Sequence, residues 1–534
     1  MKTEEFPIDE EKLDQLIDVL HRKKQTLQGD GGYVYVNLSM VRLQIMWVLP
    51  KILYAMGVAE AMGARVIVLT WRENALFDRL AEALGVEHVV LEKIDHGDPA
   101  ALFKAGLKSA FWLAGNSRGE SFQKVRIMGI PVGQFIYEDI LRTSSLSTIR
   151  SIRNKICIKK IIHLLWMIYA LQAYLQKKKP VFVVADDIAY HEGMQNILFF
   201  KAGAEIYSQH IYGESKVYFD RKDRIARRGK LMNMLIRKQL DSVSGEAEKR
   251  AEEMLTARFA GKGGRELDRG AFAGKRVLNR QETMELLGLP SDKKNIVIMA
   301  HTFTDAVFNY GQLYYRDYYD WLEQTLQIAG KNDKVNWILK PHPTRSAYNE
   351  SEDSIEKMYE KHRRDNIFFL PDHVSAESIR DIADVIVTIG GNAGAEFACF
   401  GIPAVIIGEP YYKGFGYTLE PRSRMEYEQL LMHIEETEPL KEEQILTAKK
   451  VFYMNAQKQL EGKAFSDEFA SILLEENQNM NDQIAVQLFE NNKGTQAYND
   501  TVMDSITGYF SAHGIEECEY YQRGKMRGYH RQKI

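Results

Sequence analysis

Cysteine is scarce in this chain, with three in 534 residues at Cys157, Cys399 and Cys518. An odd number, widely separated and outside metal-ligand spacing, excludes a disulfide scaffold or a zinc cluster and points to a reducing compartment. A surplus of either charge is also missing: 70 Lys and Arg stand against 73 Asp and Glu. That balance argues against a general nucleic-acid binder, so no nucleic-acid partner is expected. No run reaches the roughly 18 consecutive apolar residues of a membrane span. The opening MKTEEFPIDEEKLDQLIDVL is acidic and amphipathic, whereas a signal peptide is basic and then apolar. A cytoplasmic protein is expected, with contact at the inner face of the cell membrane left open. Solenoid-period repeats and low-complexity tracts are absent as well. What remains is an ordinary globular composition, 45% apolar and 27% charged, in a chain too long for one core. Two domains with appendages are expected.

Hydrophobic patterning alternates between strand-like and helix-like segments. After a leading helix, YVYVNL at 33–38 reads as a strand, 41–62 as a long apolar helix and RVIVLT at 65–70 as a second strand, a βαβ opening. Helices at 73–84, 99–114 and 192–202 follow, with strands at 88–91, 181–185, 204–208 and 216–220 and extended segments within 125–137. A mostly parallel sheet covered on both faces is implied. Residues 221–285, with RKDRIARRGK and GKGGRELDRG, change character and read as a charged helical linker or insertion. A second alternation runs from NIVIMA at 295–300 through strands at 335–340, 366–370, 384–389 and 403–407. The predicted fold class is therefore α/β, two doubly wound Rossmann-like domains facing a central cleft. The boundaries are 1–220 for the first domain and 286–424 for the second. Residues 425–475 read as helices crossing back to the first domain, and 476–534 as a polar extension with a basic end.

The most informative run is WILKPHPT at 337–344. A buried strand delivers His342 into a turn where Pro341 and Pro343 forbid helix and ladder bonding on either side. In an open parallel sheet that edge is where ligands bind, although a solvated turn histidine is the alternative. His301-Thr302-Phe303-Thr304-Asp305 ends the first strand of the second domain and should face the same cleft. With Lys340 or Arg345 nearby, the two histidines and threonines would suit a diphosphate or phosphodiester. Asp305 reads as a turn cap. The run 388–396, TIGGNAGAE, places Gly390, Gly391, Asn392 and Gly394 between a strand and a helix, where backbone N–H groups can approach an anion. It is neither the strict G-x-G-x-x-G fingerprint nor a P-loop, which weakens nicotinamide and ATP readings. Glu396 sits one turn into that helix, suited to a ribose diol or to simple capping. The loop at 408–418, rich in Gly and Tyr and ending in Tyr417 and Thr418, suits a base or sugar pocket, or a surface loop with core tyrosines.

In the first domain, Asp186, Asp187 and Glu192 lie at a strand end and are the candidates for a general base, with helix capping as the rival for each. Glu138, Asp139 and Arg142 are further candidates for the cleft. Residues 150–179 carry basic groups around IIHLLWMIYALQAYL, which reads as a buried crossover helix in preference to a membrane-facing one.

Taken together, residues 279–431 resemble the capsular polysaccharide biosynthesis proteins, a family that includes bacterial Kdo transferases of two-domain GT-B fold. The segments that carry the likeness are NRQETMELLGLP, HTFTDA, DYYDWLEQTL, WILKPHP, VTIGGNAGAEFACFGIPAVIIG and YYKGFGYT. Over the first 280 residues, mainly the element order and IYEDILR support it. The resemblance implies a glycosyltransferase using a nucleotide-sugar donor, a CMP-sugar such as CMP-Kdo favoured, and a glycan or glycolipid acceptor. By likeness to His-Pro enzymes, including bacterial sialyltransferases, His342 would contact the donor phosphate. Glu396 would lie near the ribose, and the 390–394 backbone near the nucleotide. The chain departs from the sialyltransferase pattern in lacking Asp-Asp-Gly or Glu-Asp-Gly; His191-Glu192-Gly193 is a partial match. No Asp-x-Asp motif accompanies the sites, so metal-independent transfer with no cofactor is expected. A sugar-nucleotide epimerase or hydrolase, and a non-catalytic polysaccharide-assembly protein, are the alternatives.

Overall fold

A computed structural model describes residues 30–39, 62–96, 99–115, 118–210, 213–216, 228–243, 245–262, 274–311, 313–343 and 353–461, with Phe272 and isolated positions between 17 and 59. The leading helix, most of the 41–62 helix, Arg345, Cys518 and the 476–534 extension lie outside these residues.

The strands are short, β-branched and buried on both faces, as a sheet covered by helices on both sides demands. The first sheet comprises β1 (Tyr33–Asn37), β2 (Arg65–Thr70), β3 (Glu87–Val90), β4 (Pro180–Ala185), β5 (Glu205–His210) and β6 (Gly213–Lys216). Its order is β3-β2-β1-β4-β5-β6, parallel except for the β5–β6 hairpin at the edge. The second comprises β7 (Asn295–Met299), β8 (Asn336–Lys340), β9 (Ile367–Phe369), β10 (Val385–Thr388), β11 (Ala404–Ile406) and β12 (Thr418–Leu419). Its order, β12-β11-β10-β7-β8-β9, is all parallel. Numbered within each domain, both sheets follow the doubly wound order 3-2-1-4-5-6.

Among the helices of the first domain are α1 (Ala75–Leu84), α2 (Leu91–His96), α3 (Pro99–Gly115), α4 (Gly119–Gln123), α5 (Val132–Ser144), α6 (Lys155–Lys177) and α7 (Tyr190–Lys201). The α6 helix is long and apolar enough to span a bilayer by composition. Here it is a core helix capped by Asn154, whose side chain accepts the Cys157 N–H, with Ile161, Leu164, Leu165, Ile168 and Leu171 buried against neighbouring helices. The extended segments expected within 125–137 are not strands. Ile127 and Ile130 close one tight turn, and Pro131 then caps α5, whose apolar residues follow helical rather than alternating spacing.

The second domain adds α8 (Arg228–Gln239), α9 (Glu246–Phe259), α10 (Arg280–Leu287), α11 (Tyr318–Ala329), α12 (Ile355–His362), α13 (Glu377–Arg380), α14 (Ala393–Ala398), α15 (Arg424–Met432) and α16 (Glu442–Glu461). The stretch expected as a linker supplies core: Met232, Ile236, Ala251, Leu255 and Phe259 pack with Val297, Ile386 and Ala404 of the second sheet. The tail helix α16 packs on α8, α9 and α14 of its own domain, where a return to the first domain was expected.

Candidate functional site

In a doubly wound sheet, the connections on the two sides of the first strand run to opposite faces, which opens a crevice at the carboxyl ends. The crevices lie between β1 and β4, and between β7 and β10.

The first crevice is filled by its own side chains. Asn37 Nδ2 donates to Gln195 Oε1 at 2.7 Å, and Ser39 Oγ donates to the same oxygen at 2.8 Å. Glu192, wholly buried, accepts the Asp187 N–H at 2.6 Å and the Ser39 hydroxyl at 3.4 Å. Asp186 pairs with the buried Lys51 at 2.9 Å. Asp187 is half-buried, and its Oδ1 accepts the Ile188 and Ala189 N–H groups at 2.6 and 3.1 Å, an Asx turn leading into α7. His191 adds a dyad: its Nδ1 lies 2.6 Å from Asp139 Oδ1 and its Nε2 3.3 Å from the Ser39 carbonyl. Burial raises the Asp139 carboxyl, but His191 and Lys160 outweigh it and hold the group below its ordinary value. With acceptors on both nitrogens, and Trp71 at 4.7 Å from its ring, His191 is fixed in place.

The second crevice is built differently. His301 Nε2 lies 3.1 Å from Thr388 Oγ1, a contact that spans the gap between β7 and β10. The imidazole packs against Tyr318 at 4.8 Å and Tyr310 at 5.6 Å. Burial, reinforced by the neighbouring His342, pushes it down to about 3, so it is neutral at physiological pH. His342, at the end of the adjacent strand β8, is near enough to act on His301 electrostatically. Pro341 is buried, whereas His342 and Pro343 are half-buried at the end of β8.

The glycine run meets His301. A Cβ at Gly390 would lie 2.8 Å from the Tyr310 ring, and one at Gly394 would strike the Tyr412 hydroxyl, so those two positions need glycine for close tyrosine packing. Tyr412 in turn donates to the Gly391 carbonyl at 2.6 Å. Gly391 is half-buried against His301 and Thr388, and Asn392 is exposed, so these two form the accessible rim. Thr302 is buried and its Oγ1 makes no hydrogen bond among the described residues.

Other expected contacts are committed elsewhere. Glu396 lies in a helix of six residues and pairs with Arg258 of α9 at 2.7 Å, so it anchors the former linker where a ribose contact was expected. Lys340 Nζ donates to the Val374 and Pro371 carbonyls at 3.0 and 3.3 Å, beneath the β8 end. Tyr417 is buried in the core, and Thr418 pairs in β12 while donating to Glu420. Asp305, expected as a turn cap, accepts the Tyr190 hydroxyl at 3.0 Å.

That contact joins the domains. The Tyr190 hydroxyl also accepts the Ala306 N–H at 2.9 Å, and Glu138 Oε1 accepts the Phe308 N–H at 2.8 Å. The turn following His301 therefore docks on the start of α7 and on α5, so the carboxyl ends of β4 and β7 face each other. The chain has a two-domain, GT-B-like fold.

No known family profile and no curated protein matches the sequence. Solved structures similar to it include KpsC from Thermosulfurimonas dismutans, a beta Kdo 2,7 transferase. It is 16% identical, over 52% of this chain and 79% of that one, with a TM-score of 0.30. A glycosyltransferase from Rickettsia africae is 10% identical over 82% and 99%, with a TM-score of 0.25. A UDP-GlcNAc 2-epimerase from Neisseria meningitidis, bound to UDP-GlcNAc, is 10% identical over 80% and 99%, with a TM-score of 0.22.

Tyr190, Thr388, Tyr310, Tyr318, Tyr412 and Arg258 were not among the residues chosen from sequence. Thr388 had a usable signal, since it ends a strand just as His301 follows one. The tyrosines had none, because their roles depend on loops folding back over the glycines.

Proposed function

We propose that the chain is a glycosyltransferase. In this reading it transfers a sugar from a nucleotide-activated donor, a CMP-sugar such as CMP-Kdo favoured, to a glycan or glycolipid acceptor of surface polysaccharide synthesis. The observation that carries the reading is the His301–Thr388 contact across the β7/β10 crevice, with His342 and the Gly391-Asn392 rim beside it. The first crevice is closed by Asn37, Gln195 and Glu192, so the nucleotide is assigned to the second.

The roles follow from each group's commitments. Neutral His301 is a hydrogen-bonding group for a sugar or phosphate oxygen, and His342 is the group assigned to donate to the phosphate. The Thr302 hydroxyl and the Gly391 backbone supply further polar contacts. On the acceptor side, Glu192 and Asp186 are buried while Asp187 is half-buried, so the base is assigned to Asp187 as the most accessible of the three acids. Asp187 takes the acceptor hydroxyl proton, the oxygen attacks the anomeric carbon, and the bond to the phosphate breaks with its electron pair leaving on the nucleotide. Stabilisation of that leaving group by the histidines and backbone amides would replace a divalent ion.

The test is a thermal-shift panel of CMP, CDP, UDP and GDP on wild type and His342→Ala, followed by transfer assays with the donor so identified. A ligand at ~100 times its Kd stabilises by roughly 2.7 kcal/mol. One nucleotide should shift wild type and shift the variant less, and nucleotide release should need acceptor. Release without acceptor would replace transfer by epimerisation or hydrolysis, and no binding by any nucleotide would sink the proposal.

A further inference from the structure

The α3 helix faces two ways. Ala101, Ala105, Ser109 and Trp112 point inward and are buried. On the opposite side Phe103, Leu107 and Phe111, at i, i+4 and i+8, are 72%, 64% and 71% exposed, with Leu102 at 42% beside them. Isolated exposed apolar residues are ordinary, but a contiguous aromatic and aliphatic ridge along one helix is not, and such a ridge marks a contact surface.

Charge identifies the partner. The exposed Lys104 and Lys108 flank the ridge. At its far end Arg153 donates to the Leu113 and Ala114 carbonyls at 3.0 and 3.4 Å, bringing the start of α6 alongside, with Lys155, Ile156 and Lys159 all exposed. Neither α3 nor α6 contains a single Asp or Glu. Among the described side chains of α2 the carboxylate, Glu92, is bonded to Arg72 at 3.0 Å. A second copy laid on this ridge by two-fold symmetry would set Lys104 and Lys108 against their own equivalents, with no acid supplied by α3 or α6.

We propose that α3 and the amino end of α6 form a docking surface for an anionic lipid bilayer. The ridge inserts Phe103, Leu107 and Phe111 into the boundary between headgroups and acyl chains, with the helix, about 25 Å long, lying in the plane. The lysines and Arg153 meet the acidic headgroups. This surface belongs to the first domain and does not depend on the nucleotide reading, since its test involves no nucleotide.

The full chain is floated with phosphatidylcholine vesicles, with and without phosphatidylglycerol. Recovery is expected with the anionic vesicles and not with the neutral ones, and is expected to fall as salt is raised. Phe103→Ser with Phe111→Ser, and separately Lys104→Gln with Lys108→Gln, should each reduce the bound fraction roughly tenfold or more. All four side chains are exposed, so the melting temperature should stay near that of wild type. Equal recovery with both lipids, or none with either, overturns the proposal. So does self-association in solution that disappears with the Phe103→Ser and Phe111→Ser pair, which would assign the ridge to a second copy.

Discussion

His301 holds a neutral ring where a free histidine would titrate near 6.5. The unfolded chain therefore binds a proton that the folded one refuses. The corresponding stability is complete above about pH 6.5 and is lost as pH falls toward about 3. His301→Gln keeps an amide near Thr388 but removes the titration, so the melting temperature of the variant should fall less steeply than that of wild type between pH 6.5 and 4. His163 and His362 are also lowered by burial, but both proteins retain them, and they cancel in the comparison. Asp187→Asn preserves the turn acceptor while removing the base. Its transfer rate should drop by roughly 10²–10⁴ with little change in nucleotide affinity, as read from steady-state kinetics beside the thermal-shift assay. The site residues were partly legible one at a time. His301, His342 and Gly391 stand out because strand ends and glycines are visible in a sequence. The pairing of Glu396 with Arg258 was hidden, because 138 positions separate the partners and nothing local joins them.

At the scale of elements, the second domain's sheet was readable because buried parallel strands are continuous apolar runs. The error at 125–137 came from β-branched residues that suit either state when a turn of uncertain position precedes them. The charged stretch at 221–285 misled for a related reason. Helices α8 and α9 are polar on average, yet each turns a narrow apolar stripe toward the second sheet. Arg258 makes the strongest claim on that packing, since its guanidinium and the Glu396 carboxylate are both largely buried. Arg258→Ala would leave Glu396 unpaired and should destabilise the protein by about 3 kcal/mol, measured by urea denaturation. If the loss were within ~0.5 kcal/mol, α9 would not be held through this pair.

On the scale of the whole molecule the two domains share one apolar cluster. Phe135, Tyr137 and Ile149 from the first pack with Phe303, Phe308 and Tyr319 from the second. Asp317 reinforces the junction: fully buried, it caps α11 and accepts the Tyr137 and Thr148 hydroxyls at 2.5 and 2.6 Å. Burial pushes its carboxyl up while these bonds hold it down, and the upward push prevails. Such a continuous core should unfold in one thermal transition by calorimetry. Tyr137→Phe, which removes one donor from a buried carboxylate, should cost about 1–3 kcal/mol. Separate melting of the domains would show the junction to be weaker than its contacts suggest.

The sequence alone determined two alternating α/β units, the strands that build them and the histidines at their ends, because those signals lie in short windows of apolar periodicity, proline and glycine. Tertiary structure decided that Asn37, Gln195 and Glu192 fill the first crevice, that Glu396 and Lys340 are bonded within the second domain, and that α3 leaves an apolar ridge outside. Each of those depends on which distant side chain arrives first at a hydrogen-bonding group or an apolar face, and local pattern carries no record of that competition.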